Sequence, residues 1–303
     1  MKTDNNTSQY TKFFVREVTT LLPFIINALN GISRNKAKSI LTNGGVRVNQ
    51  RIIKKHDYNL SEGMCVEILK RKPQDTIKSK YIKIIYEDQD IIVIEKQPGI
   101  LSMGTPHHTF CVKTLLDEYF RHSKQKCTAH VVHRLDRETS GLLLFAKKIE
   151  IQQFLIKNWQ EITSKRSYIA LCAGTPSPAK GTIRSWLTEN KAFFIYSSPT
   201  DNGGKLAITH YETLESNGQY SLVEFNLETG RKNQIRVHCQ SIMCPICGDE
   251  KYGNGENPIN RLALHAYRLH FYHPTTKKLL QFETDIPYNF KAPFANKTQK
   301  ADT

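Results

Sequence analysis

His133-Arg134-Leu135-Asp136-Arg137-Glu138-Thr139-Ser140-Gly141 runs directly into Leu142-Leu143-Leu144-Phe145-Ala146-Lys147-Lys148. A carboxylate set between two arginines on a turn is followed by an unbroken apolar run, as expected of a strand covered on both faces. A turn feeding such a strand can hold a reactive side chain in a cleft beside the core, although charge spacing alone favours a solvated ion-pair cluster. Working outward, DIIVIEK (90–96) is a second buried-strand run, whereas ITHYETLE (208–215) alternates as a strand with one wet face should. Helical spacing appears at VKTLLDEYFRH (112–122) and IQQFLIKNWQ (151–160). Further strands are expected at RSYIAL (166–171), GTIRSWL (181–187) and YSLVEFNLE (220–228). Short strands alternating with helices make this an α+β chain.

The first quarter reads differently. LLPFIINALN (21–30) and RNKAKSILTN (34–43) predict two short amphipathic helices parted by Gly31, and Gly44-Gly45 ends the second before VRVNQRII (46–53), which predicts a hairpin. Residues 1–80 hold 15 of the 43 Lys and Arg but only 6 of the 28 Asp and Glu, so +9 of the net +15 sits there. That excess predicts an anionic partner, with nucleic acid foremost. Arg34, Lys36 and Lys38 on or before the second helix, and Arg47 and Arg51 around the hairpin, are candidates for a phosphate-facing surface; a merely solvated basic face is the alternative. With no aromatic platform beside them, they suit folded RNA read by shape and backbone. The expected organisation is a poorly ordered start (1–18), a small basic module (19–72), a basic linker (73–80), a larger α+β domain (81–290) and a polar tail (291–303).

No stretch approaches the roughly 18 consecutive apolar residues of a membrane span, and the opening MKTDNNTSQY lacks the apolar core of a secretion signal. A soluble, cytoplasmic chain is expected, without a membrane partner and monomeric by default. Seven cysteines, an odd number, read as reduced thiols. Cys244-Pro245-Ile246-Cys247, with His238 and Cys239 upstream, has part of a zinc set, but no second CxxC follows. No metal and no cofactor is expected.

HRLDRETSGLLLFAKK resembles the signature of the RluA-type RNA pseudouridine synthases. Further blocks agree in order: KRSYIAL, GKLAITHY, LETGRKNQIRVH, CPICGDEKYG and RLALHAYRLHFYHP, so the resemblance spans roughly Ile84 to Pro287. LLPFIINALNGISRNKAKSILTNGGVRVNQRII is similar to the small RNA-binding module shared by a ribosomal small-subunit protein and many RNA-modifying enzymes. The resemblance implies the pseudouridine synthase fold, a mixed, largely antiparallel central sheet with flanking helices, for a catalytic domain at 81–290 preceded by a small RNA-binding module at 19–72, and it implies the isomerisation of uridine in structured RNA. Large-subunit ribosomal RNA is the favoured target and transfer RNA the other. By position, Asp136 matches the family's essential aspartate, and Tyr168 the tyrosine lying against the base and assisting proton transfer. Arg236 matches the arginine paired with the aspartate, Arg134 the one entering the helix as the base leaves, and Leu264 an apolar wall of the uracil site. Two positions depart from the pattern. Asn233 stands where His is common, with an amide able to make the same hydrogen bond, and the loop after the first strand is Lys96-Gln97-Pro98-Gly99 in place of the usual Lys-Pro-x-Gly.

This chemistry fits the residues. Breaking the N1 to C1′ bond, turning the uracil and joining C5 to C1′ needs a carboxylate, a proton-transfer group and walls for the freed base, with neither metal nor redox cofactor. Two competing classes are an RNA-binding or ribosome-assembly factor that lost the reaction, and a nucleoside hydrolase or glycosidase. Asp136, Tyr168 and Arg236 together disfavour the first. The second wants another positioned carboxylate, which no matched block supplies.

Overall fold

The computed structural model describes residues 10–29, 31–42, 44–69 and 79–297, except the side chains of Lys36, Ser39, Asn296 and Lys297. Two compact units divide the chain at Thr76 and Ile77.

The first unit contains β1 (Tyr10–Phe14), β2 (Thr19–Thr20), α1 (Leu21–Ala28), α2 (Arg34–Thr42), β3 (Val46–Val48), β4 (Arg51–Ile52), β5 (Asn59–Leu60) and β6 (Cys65–Leu69). Its sheet runs β1-β6-β3-β4, and β2 pairs with β5. Leu21, Leu22 and Ile25 of α1, with Ala37 and Leu41 of α2, bury their apolar stripes against Val46, Val48, Val66 and Ile68. The expected hairpin forms at β3 and β4 through Asn49 and Gln50, both at positive φ as a two-residue turn of this hand requires. The expectation of a poorly ordered start fails over Tyr10–Phe14, which pairs residue for residue with Leu69–Cys65. The cause is non-local: β6 offers an edge, and the Thr, Tyr and Phe content of β1 suits it. Residues 1–9 and 70–78, the latter including most of the expected linker (73–80), lie outside the described residues.

The second unit holds β7 (Ile82–Glu87), β8 (Ile91–Lys96), α3 (Val112–His122), β9 (His130–Val131), β10 (Ser140–Ala146), α4 (Ile149–Lys157), α5 (Trp159–Ile162) and β11 (Thr163–Ala173). It continues through β12 (Lys180–Glu189), β13 (Ile195–Ser198), β14 (Lys205–Ser216), β15 (Tyr220–Leu227), α6 (Gln234–Ser241), β16 (Leu264–Tyr272), β17 (Leu279–Glu283) and α7 (Tyr288–Lys291). One sheet runs β13-β12-β14-β15-β11-β16-β10-β8-β7, with β17 beside β16 and β9 beside β10. Every ladder is antiparallel except β10 with β16. The period-two rule sorts its side chains: Ile92, Ile94, Leu143 and Phe145 pack toward Leu116 and Phe120 of α3. Ile91, Val93, Leu142 and Leu144 pack toward Leu155 of α4 and Trp159 of α5. All seven residues of β10 are buried, as its unbroken apolar run predicts.

Gly141 explains its place in the signature. Its φ is +112°, and a Cβ there would stand 2.2 Å from the Ala266 carbonyl oxygen. Only glycine lets β10 approach β16 this closely. The expected polar tail is shorter than anticipated: α7 is followed by a 3-10 turn over Ala292–Lys297, and Phe290 and Phe294 pack on the core. Residues 298–303 lie outside the described residues.

Candidate active site

The segment carrying Asp136 is irregular, so its shape depends on what its neighbours bond. Ser102 Oγ donates to the Leu135 carbonyl (2.8 Å) and accepts from the Leu135 amide (3.1 Å). On the other side of Asp136, the Arg137 carbonyl accepts from Lys96 Nζ (2.8 Å) and from the Gly99 amide (2.9 Å). Lys96 also donates to the carbonyls of Gln97 (3.0 Å) and Ile100 (2.8 Å). Its side chain is fully buried. Three inward carbonyls demand a three-proton donor on a long stem, which is what lysine offers. Burial pulls this ammonium down to about 8, opposed by the Glu138 and Asp136 carboxylates. The backbone on both sides of Asp136 is therefore pinned, while its own carboxyl is 38% exposed.

Arg236 reaches that carboxylate from α6, with Nη1 at 3.3 Å from Asp136 Oδ2. Its other face is held more firmly: Nε and Nη2 make two parallel 2.7 Å bonds to the fully buried Asp249 carboxylate. Burial works against the Arg236 charge, and the Asp249 and Asp136 carboxylates outweigh it, holding the guanidinium above its ordinary value. Burial likewise opposes the Asp249 charge, but Arg236 and the amides of Tyr252 and Lys251 lower it overall. Asn233, in the left-handed region at φ 57°, precedes α6, and its Oδ1 accepts from Arg236 Nη1 at 3.2 Å. The carboxamide of Asn233 thus makes a hydrogen bond to Arg236. Asn233 Nδ2 reaches the Tyr252 hydroxyl at 3.3 Å, and the Arg236 guanidinium lies 5.1 Å from the centre of that ring.

Tyr168 sits in β11, next to β16 in the sheet, opposite Ala266 where the ladder register shifts. Its half-buried ring touches both large clusters of the core. Burial raises its phenol above the ordinary value, Arg166 opposes this, and the Asp136 carboxylate adds to the rise. Leu264 opens β16, buried and paired with Ala170. Arg134 is exposed, two residues before Asp136. The structure thus joins Asp136 to Arg236 directly and places Tyr168 within electrostatic reach. Arg134 and Leu264 are grouped with that pair only through chain proximity and the strand order β11-β16-β10. A cavity of about 450 Å³ lies beside Ser140, Arg261 and His265 and does not include Asp136.

Asp249, Lys96, Ser102 and Tyr252 are site residues that the sequence does not reveal. CPICGDEKYG contains Asp249 and Tyr252, but the segment reads locally as a turn. Its cysteines serve packing: Cys244 and Cys247 join Cys172 and Cys239 in the core, where burial pushes the Cys247 thiol up to about 12.

In the first unit, Arg34 and Lys38 are exposed one turn apart on α2, and Arg51 is exposed on β4. The Lys36 side chain lies outside the described residues. Arg47 is half-buried on β3 with its guanidinium 4.3 Å from the centre of the Tyr10 ring, a half-buried tyrosine.

The family model described as RNA pseudouridylate synthase matches residues 90–241, and the S4 domain model matches residues 22–66. An uncharacterized RNA pseudouridine synthase of Bacillus subtilis, YhcT, is 36% identical over 217 residues, covering 69% of this chain and 70% of the relative. The ribosomal large subunit pseudouridine synthase D of Neisseria meningitidis serogroup B is 34% identical over 275 residues, covering 84% and 72%. Among solved structures, human RNA pseudouridylate synthase domain containing 4 superimposes with a TM-score of 0.57 at 23% identity, over 68% of this chain and 89% of that one.

Proposed function

Because this chain belongs to the RNA pseudouridylate synthase family and is an isomerase of uridine in RNA, we propose that its substrate is large-subunit ribosomal RNA and that Asp136 is its catalytic carboxylate. The observation carrying the reading is the relay in which buried Asp249 holds Arg236, and Arg236 in turn meets the partly exposed Asp136. In this reading Arg236 aims Asp136 at the ribose while Tyr168 lies against the uracil and moves a proton. Leu264 walls the base and Arg134 fills the stack that the base leaves. Extruding a nucleotide costs a few kcal/mol. Stacking on an aromatic ring returns about 1–3 kcal/mol. C5 then bonds to C1′ in place of N1, the hydrogen of C5 leaves to solvent, and N1 gains one.

The relatives named for the large ribosomal subunit support the target, and the S4 match supports RNA as partner. Arg34, Lys36, Lys38, Arg47 and Arg51 are the proposed phosphate contacts of that module. We place the enzyme in the cytoplasm as a monomer; no described helix is long and apolar enough to cross a membrane. The test is tritium release from large-subunit ribosomal RNA transcripts labelled at C5 of uridine. The parent releases tritium, whereas Asp136→Asn releases none and keeps RNA affinity within about threefold, since the carboxylate acts on the sugar and not on phosphates. Turnover by Asp136→Asn would remove the carboxylate from the mechanism, and release only from transfer RNA would correct the target.

A further inference from the structure

The β12–β13 hairpin turns through Asn190-Lys191-Ala192-Phe193-Phe194, and it carries exposed aromatic rings, of which Phe194 meets buried Tyr252 edge-on with 6.2 Å between ring centres. Phe193 is 67% exposed, Tyr196 54% and Phe194 39%. No core cluster among the described residues includes any of them. Water contact at three aromatic rings on one tip is unfavourable, and a patch of this kind marks a binding surface.

The turn is closed by its own hydrogen bonds. Asn190 Oδ1 accepts from the amides of Ala192 (3.0 Å) and Phe194 (2.9 Å), and the Asn190 amide donates to the Phe194 carbonyl (2.9 Å). Phe193 is held at φ +60°, a conformation that a bulky side chain rarely adopts. Cations surround the rings. Lys251 Nζ lies 4.4 Å from the centre of the Phe194 ring, and Lys232 Nζ lies 5.5 Å from that of Phe193 while pairing with Glu189. Lys191 is exposed at the turn.

This surface connects to the reacting centre through a short chain of hydrogen bonds. The Ile195 amide, next to Phe194, donates to the Tyr252 hydroxyl at 2.9 Å, and Tyr252 accepts from Asn233, which holds Arg236 beside Asp136. Exposed rings interleaved with lysines suit one ligand chemistry: unpaired nucleotides, whose bases stack on the rings while their phosphates meet the ammonium groups.

We propose that Phe193 and Phe194 form a stacking platform for unpaired nucleotides flanking the extruded uridine, with Lys191, Lys232 and Lys251 along their phosphates. The inference rests on the chain acting upon uridine in RNA, and it assigns that site an unpaired segment rather than a continuous duplex.

The test uses the full chain and two probes of equal charge, a twelve-nucleotide oligouridine and a twelve-unit abasic ribose-phosphate strand, titrated by filter binding over a salt series. The double variant Phe193→Ala/Phe194→Ala should weaken oligouridine binding about tenfold or more, leave the abasic strand unaffected and keep the salt slope. Phe193→Trp/Phe194→Trp should restore the parent affinity. Lys251→Gln should instead flatten the slope by about 0.7 for every phosphate it releases. Oligouridine binding equal to the parent's, or an equal loss on both probes, overturns the platform. Tritium release by the parent is measured in parallel: its absence would sink the isomerase reading, whereas an active parent with unchanged binding in the alanine variant sinks only the platform.

Discussion

Asp249 supplies most of what orients Arg236, and neither its position nor its role is visible in a local window. Its carboxylate is fully buried and returns two 2.7 Å bonds to the guanidinium. Asp249→Asn replaces one acceptor with an amide donor facing a cation and leaves Arg236 without a matched partner. Breaking a buried pair from one side costs about 3–5 kcal/mol. A misplacement of about 1 Å in a reacting group costs on the order of 100-fold in rate. Single-turnover tritium release should therefore fall by roughly two orders of magnitude, with a lowered Tm. Unchanged turnover would show that Arg236 is aimed by Asp136 alone. Asp136, Tyr168 and Arg236 are legible in the sequence because each lies within a block whose order matches a known family. Asp249 lies in such a block too, yet it reads as a turn residue, because its partner stands thirteen positions upstream and is brought opposite only when α6 starts at the left-handed Asn233. Lys96 is hidden for a similar reason: nothing in KQPG says that three carbonyls will point inward at one ammonium.

Among the elements, α6 matters most to the site, and a histidine anchors it. His238, fully buried, is bonded through Nε2 to Ser185 of β12 (2.9 Å) and through Nδ1 to Thr209 of β14 (2.8 Å). Burial pulls its imidazole down to about 4, and burial, aided by the Arg261 charge, does the same to His265 in β16. Both are neutral in the fold at pH 7. Below the unfolded value near 6.5 the unfolded chain takes up protons that the native fold refuses until about 4, so stability falls with falling pH across that window. Each imidazole should contribute a slope of about 1.4 kcal/mol per pH unit. Thermal melts of the parent and of His238→Gln between pH 7 and 4 check this: the variant should show a shallower decline, and parallel curves would rule His238 out. Element types are largely readable from periodicity, since buried strands, helices and the Asn-Gln hairpin follow from local chemistry. β1 is not, because its pairing with β6 spans more than fifty residues. The break at Asn158 between α4 and α5 also escapes, since IQQFLIKNWQ keeps helical spacing across it.

For the molecule as a whole, charge and chemistry are divided between two units. The first 80 residues hold +9 of the +15, whereas Asp136, Tyr168, Arg236 and Asp249 all lie in the second unit with its own core. Deleting residues 1–76 should leave an isomerase of short fragments whose RNA affinity is weaker and whose plot of log affinity against log salt is flatter. Each phosphate no longer gripped flattens it by about 0.7–0.9, so three or four of them change the slope by roughly two to four. An unaltered slope in a filter-binding titration would mean that the S4 unit does not grip phosphates. The same division is written in sulfur. Cys65, half-buried in the first unit, and Cys127, half-buried in the second, are the thiols an alkylating reagent meets first. Cys127 reacts more slowly than an open thiol, because burial raises it. Cys172, Cys239, Cys244 and Cys247 lie sealed together under β11 and α6 and become reactive only when that core opens. Counting alkyl groups by intact mass over time therefore turns these thiols into a clock with separate hands, Cys65 reading the breathing of the first unit and the four clustered cysteines the rarer opening of the core beneath α6.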